Sequence, residues 1–122
     1  MIQVLNILLL SSYCGLIYWL SDQSSLQTPL GFYLGDKIIH AAAYFIMAVF
    51  AWLSFFPFFN NRVMTAISVL GFCSVFGYLD EWHQSFVPGR VSDPFDWYAD
   101  MLGAVIAILG FYKTSFWKTN LV

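Results

Sequence analysis

Charged side chains are scarce in this chain. Asp, Glu, Lys and Arg together make up 10% of its 122 residues, whereas hydrophobic residues make up 60%. Soluble domains carry about 25% charged residues, so this composition excludes a water-soluble globule. The sequence therefore indicates an integral membrane protein, and its length leaves room for a single domain over 1–122.

Alternating strand patterns are also missing, and four long apolar runs take their place. An open sheet would leave backbone groups unpaired in lipid, and no run alternates as a barrel strand does. Each run approaches the ~20 helical residues that cross ~30 Å of hydrocarbon, and the two shortest gain length from their flanks. The sequence predicts an all-α bundle of four transmembrane helices at about 3–20, 38–59, 63–79 and 97–112.

Several chemical motifs are absent. No Cys or His spacing indicates structural zinc, and no Gly-rich phosphate loop or nucleophile-elbow serine occurs. No basic patch favours nucleic acid, which is excluded as a partner. Cys14 and Cys73 both lie in apolar runs, where thiols act as small packing groups, and we expect no disulfide between them.

Acidic residues are absent from one side of the predicted bundle. Arg62, Lys113 and Lys118 fall on the side of the termini, whereas only Lys37 and Arg90 fall on the other. That other side carries all seven acids: Asp22, Asp36, Asp80, Glu81, Asp93, Asp96 and Asp100. Because Lys and Arg favour the cytoplasmic side, we expect both termini to be cytoplasmic and the acidic connectors to lie outside.

Helical spacing turns polar residues of three runs toward neighbouring helices. Small residues let transmembrane helices approach closely. The fourth run combines them with an acid on one face: Asp100, Gly103, Ala107 and Gly110. A similar face of the third run continues beyond it: Gly71, Ser74, Gly77, Glu81 and Gln84. One face of the second run is polar at its outer end: Asp36, His40, Ala43, Tyr44, Met47 and Ala51. The three faces predict a common outer crevice.

The start of a helix accounts for the positions of some of these acids. In the segment SDPFD, Asp93 is a predicted N-cap, Pro94 occupies the first helical position, and Asp96 follows three residues after the cap. Asp36 is favoured by the positive end of the second helix. Asp100 has no capping role, and an ionisable group inside an apolar helix indicates a functional site.

Asp80 and Glu81 lie at the end of a helix whose dipole they oppose, so they require a compensating cation. Arg90, on the turn VPGR, is the candidate. His40 lies one turn, about 6 Å, deeper than Asp36, where the acidic faces converge.

Three segments resemble the VanZ-like family of membrane proteins: DKIIHAAAY (36–44), DEWHQSFVPGR (80–90) and DWYADMLGAVIAILG (96–110). The resemblance covers roughly 36–110, and the middle segment is the most specific. It implies a bacterial cytoplasmic membrane and a role at the cell envelope, since the name-giving relatives are linked to teicoplanin resistance. Family members commonly carry Asn where this chain has Asp100, a departure that adds a charge.

Two functions stay open. In the first, the crevice binds, or as an enzyme modifies, the headgroup of a lipid, a lipid-linked cell-wall component or a lipoglycopeptide. Glu81 and Asp100 would be acid/base or metal carboxylates, and His40 a ligand or proton shuttle. A divalent metal is the one cofactor this set would accommodate. The other substrate-binding candidates are Arg90, Gln84, Asp80, Asp36, Asp96 and Tyr44. In the second, Arg90, Glu81 and Asp96 form a structural ion-pair clasp without chemistry.

Overall fold

The computed structural model describes residues 1–22, 33–89 and 92–114, and within these ranges the chain forms four α-helices and no strands. The helices are α1 (Ile2–Ser21), α2 (Tyr33–Phe59), α3 (Arg62–Gln84) and α4 (Pro94–Lys113). All four are long and apolar enough to cross a membrane. The predicted all-α transmembrane architecture is confirmed, and each helix extends beyond its apolar run because the polar residues at the run's ends continue it.

The helices run up and down, so that four helix ends meet on one side. The Ser21 hydroxyl at the end of α1 donates a hydrogen bond to the Asp80 carboxylate near the end of α3. The Lys37 ammonium near the start of α2 contacts the Asp96 carboxylate near the start of α4. We call this side the acidic end, because it gathers Asp22, Asp36, Asp80, Glu81, Asp93, Asp96 and Asp100.

Helix α2 is central and packs against each of the other three helices. Its buried face includes Tyr44, Met47 and Trp52, each at most 1% exposed. The Trp52 indole stacks almost parallel to Phe111 of α4, with ring centroids 5.4 Å apart. Much of the remaining helix surface carries exposed apolar side chains, as a lipid-facing surface requires.

The predicted small-residue faces are confirmed in part. On α4, Asp100, Gly103 and Ala107 are buried, but Gly110 is exposed. A Cβ built at Gly110 would meet nothing within 4 Å, so none of the four described helices approaches there.

On α3, the prediction is right for Gly77, Glu81 and Gln84, which are buried, and wrong for the exposed Gly71. The packed face instead contains larger side chains below Gly77: Thr65, Val69 and Cys73. Residues spaced by four stay on the side of α3 that packs against the neighbouring helices. The spacing of three through Gly71 and Ser74 instead leads round α3 to its exposed side.

The N-terminus of α4 forms as predicted. Asp93 is the N-cap, its carboxylate accepts a hydrogen bond from the Phe95 backbone N–H at 3.0 Å, and Pro94 occupies the first turn. This cap fixes where α4 starts, and it places Asp96 and Asp100 on the side that faces α2.

Candidate site at the acidic end

His40 lies at the centre of the polar contacts between α2 and α4. Its Nδ1 is 2.9 Å from Oδ1 of Asp100. Its Nε2 faces the opposite way, 3.7 Å from Oδ2 of Asp96 and 3.8 Å from Oδ1 of Asp36. The ring therefore separates an inner carboxylate from an outer pair. The predicted approach of Asp100 to His40 is present.

Lys37 organises the outer pair, a role that sequence reasoning missed. Its ammonium is 2.9 Å from Oδ2 of Asp93 and 3.4 Å from Oδ2 of Asp36, and it also contacts the nearly buried Asp96. Lys37 lies three residues before His40, so both project from the same face of α2. That spacing could have identified it.

Glu81 of α3 completes the inner part of the site. Its Oε2 accepts hydrogen bonds from the Asp93 backbone N–H at 3.2 Å and, more weakly, from the Ser92 hydroxyl at 3.4 Å. Its Oε1 is buried and has no hydrogen-bond partner in the part of the chain that the structure describes. The same holds for Oδ2 of Asp100 and the hydroxyl of Tyr44. Buried polar atoms without partners are uncommon, so these three call for an explanation.

Asp80 and Gln84 belong to a different set of contacts on α3. Asp80 accepts a hydrogen bond from the Ser21 hydroxyl, and the Gln84 amide donates to the same hydroxyl oxygen at 3.3 Å. His83 lies against the exposed Asp22, with Nε2 3.0 Å from its Oδ1. These contacts connect the end of α1 to the end of α3. Arg90, the predicted headgroup clamp, lies outside the described residues.

A cavity of about 470 Å³ opens between the end of α3 and the start of α4. Glu81, Ser85 and Ser92 supply its polar wall, and the rings of Trp82, Trp97 and Tyr98 supply much of the rest. The Trp97 indole N–H donates to the Ser74 carbonyl at 3.0 Å, which holds α4 against α3 below the cavity.

A second cavity, of about 570 Å³, is lined by apolar side chains of α2 and α3 such as Phe55 and Phe72. None of the described residues that line it is charged. Of the two cavities, the one beside Glu81 therefore offers the polar contacts that a ligand headgroup needs.

Chemically, the charged groups can hold a cation or exchange a proton between His40 and Asp100. Two overlapping sets bring one ligand atom from each residue to within 4.8 Å of the others: Asp36, His40 and Asp96, and His40, Glu81 and Asp100. We call the set with Asp36 and Asp96 the outer layer and the set with Glu81 and Asp100 the inner layer. The two layers share His40.

Comparison with known proteins identifies one family. Residues 3–117, nearly the whole chain, match the family model described as VanZ/LLP1. No curated protein and no solved structure is similar enough to this chain to count as a match.

Proposed function

The chain belongs to the VanZ/LLP1 family of membrane proteins, and from that membership and its acidic end we propose that it binds the polar headgroup of a membrane amphiphile. The observation that carries this proposal is the cavity of about 470 Å³ between α3 and α4, with the Glu81 carboxylate in its wall. The cavity lies at the end of two membrane-spanning helices, where a lipid presents its headgroup.

The lining indicates which headgroups fit. Glu81, Ser85 and Ser92 offer oxygen acceptors, so the ligand must bring hydrogen-bond donors, as an ammonium group or sugar hydroxyls do. Trp82 and Tyr98 are largely exposed, and amphipathic rings at the membrane interface suit a ligand whose apolar part stays in the bilayer. A donor-rich headgroup on a lipid tail meets both requirements.

The charge distribution supports an orientation for this site. Arg62 and Lys113 lie at the end opposite the acids, and the positive-inside rule places such residues in the cytoplasm. The acidic end would then face the outside of a bacterial cytoplasmic membrane. Ligands available there include lipids, lipid-linked cell-wall components and lipoglycopeptide antibiotics, and Arg90 would bind a phosphate or carboxylate of the headgroup.

We predict that Glu81→Gln weakens headgroup binding by at least about tenfold, because a hydrogen bond to a charged group contributes roughly 1.5–3 kcal/mol. Native mass spectrometry of the detergent-solubilised chain measures this. The probes are phosphatidylethanolamine and a glucosyl diacylglycerol, which carry donors, and phosphatidylcholine, whose headgroup carries none. The wild-type chain should retain the first two in preference to the third.

The matched control is Asp22→Asn, because Asp22 is an exposed carboxylate at the same end that contacts His83. This variant should bind all three lipids as the wild-type chain does. Equal retention of phosphatidylcholine by the wild type, or unchanged lipid preference in a folded Glu81→Gln variant, would contradict the proposal.

A structural clasp is the second candidate function, and a separate observation favours it. Lys37 joins Asp36, Asp93 and Asp96 and so ties α2 to the start of α4. The clasp proposed from the sequence relied on Arg90; in the described residues the bridging cation is Lys37. The clasp occupies the outer layer, and the cavity lies beside Glu81, so one chain can contain both.

A further inference from the structure

The inner layer brings together three groups that commonly bind metal ions. His40 comes from α2, Glu81 from α3 and Asp100 from α4, with one ligand atom of each within 4.8 Å of the others. Two ligand atoms at neighbouring corners of one ion, each about 2.1 Å from it, lie roughly 3 Å apart. Nδ1 of His40 and Oδ1 of Asp100 are already 2.9 Å apart.

Unpartnered oxygens provide an independent reason to expect a cation. Asp100 is 0% exposed and Glu81 7%, yet Oδ2 of Asp100 and Oε1 of Glu81 have no hydrogen-bond partner among the described residues. Oδ2 of Asp100 lies against α3 at Gly77, 3.1 Å from the position of an added Cβ, one helical turn from Glu81. A buried, unpartnered carboxylate oxygen costs several kcal/mol unless something binds it.

Charge balance separates the inner layer from the outer one. Lys37 contacts the outer carboxylates of Asp36 and Asp96. Among the residues that the structure describes, no Lys or Arg contacts Glu81 or Asp100. Within the described part of the chain, the two buried carboxylates therefore share the His40 ring and no other cationic side chain, whereas a divalent cation would balance both.

The orientation of His40 also suits a metal ligand. A ligating histidine usually turns its other ring nitrogen toward a carboxylate, which fixes the ring. Nε2 of His40 faces Asp36 and Asp96 while Nδ1 faces the inner layer. The outer layer thus holds the ring in the position that the inner layer requires.

We propose that His40, Glu81 and Asp100 bind one divalent first-row metal ion, Mn²⁺ or Zn²⁺. One imidazole nitrogen with two carboxylates suits these ions, because imidazole is a preferred ligand of Zn²⁺ and carboxylates are preferred ligands of Mn²⁺. Ca²⁺ instead prefers an all-oxygen shell of six to eight ligands. Three protein ligands leave a coordination position open, and one of the three, Glu81, also lines the cavity between α3 and α4.

Metal binding by the full chain in detergent tests this proposal without any lipid ligand. After chelator treatment and dialysis against micromolar MnCl₂ or ZnCl₂, we expect one equivalent of metal per chain by elemental analysis and a raised melting temperature. Asp100→Asn and Glu81→Gln, which keep the side-chain shape, should each lower the affinity at least about tenfold.

The chain offers a matched control, because its only other histidine is His83 at the same end. His83→Ala should bind metal as the wild type does, whereas His40→Ala should not. No bound metal in the wild type, or equal affinity in a folded Asp100→Asn variant, would overturn the proposal. Lipid retention is measured separately, so the metal site and headgroup binding can fail independently.

Discussion

Replacing Gly103 with alanine is expected to destabilise the bundle by at least about 3 kcal/mol or to prevent recovery of folded protein. A Cβ at this position would lie 1.9 Å from the carbonyl oxygen of Ala41 and 2.7 Å from its carbonyl carbon. Both atoms belong to the backbone of α2, so no side-chain rotation relieves the clash. The helices α2 and α4 would have to separate, and the contact between His40 and Asp100 would be lost with them.

Thermal melting of the purified chain in detergent measures this effect. Gly110→Ala is the matched control, because Gly110 lies two turns further along α4 and an added Cβ there meets nothing within 4 Å. This variant should melt at or slightly above the wild-type temperature, since alanine favours helix over glycine. Equal melting temperatures for the two variants would show that α2 and α4 do not approach as closely as described.

Lys37→Met is expected to cause the second large loss of stability. The substitution removes the cation that contacts Asp93 and Asp96. The buried Asp96 carboxylate then loses the Lys37 charge. Breaking a buried ion pair on one side costs roughly 3–5 kcal/mol. The methionine keeps the length of the apolar stem, so the loss reports on the charge rather than on packing.

Melting of Lys37→Met, with Lys113→Met as the control, measures this loss. Lys113 is exposed at the opposite end, so its replacement should leave the melting temperature nearly unchanged. Adding Asp96→Asn to Lys37→Met should restore part of the stability, because it removes the uncompensated charge. A Lys37→Met chain that melts like the wild type would mean that the ion pairs of the outer layer do not stabilise the junction of α2 and α4.

The sequence predicted the elements of this fold well. Apolar run length indicated four membrane-spanning helices, and the SDPFD segment indicated the N-cap at Asp93. Helical spacing brought His40 and Asp100 to facing positions, because a period of 3.6 residues assigns each side chain to a face. These properties depend on local chemistry, which a single sequence expresses directly.

The pairing of side chains between helices could not be predicted in the same way. Sequence reasoning overlooked Lys37, which contacts Asp36, Asp93 and Asp96. It also placed Gln84 among the candidates for headgroup binding, whereas Gln84 contacts Ser21. Such partners depend on how far each helix rotates and how closely it approaches, and Gly77 and Gly103 set these distances only in the assembled bundle.

The two layers at the acidic end of the helix bundle have different roles. The outer layer around Lys37 stabilises the junction of α2 and α4, and the inner layer around Glu81 has the unpartnered oxygens. Gly103 allows the close approach on which both depend. Stability and binding should therefore respond separately to Lys37→Met and Glu81→Gln.

Photo-crosslinking tests the proposed headgroup site most directly. The chain would be reconstituted with a phosphatidylethanolamine that carries a diazirine on its headgroup, irradiated, and mapped by mass spectrometry. We predict that adducts concentrate on the lining of the cavity between α3 and α4, especially Trp82, Ser85 and Tyr98, and that Glu81→Gln removes most of them. Adducts spread evenly over other exposed positions near the acidic end, such as Trp19 of α1, would contradict a headgroup site at Glu81.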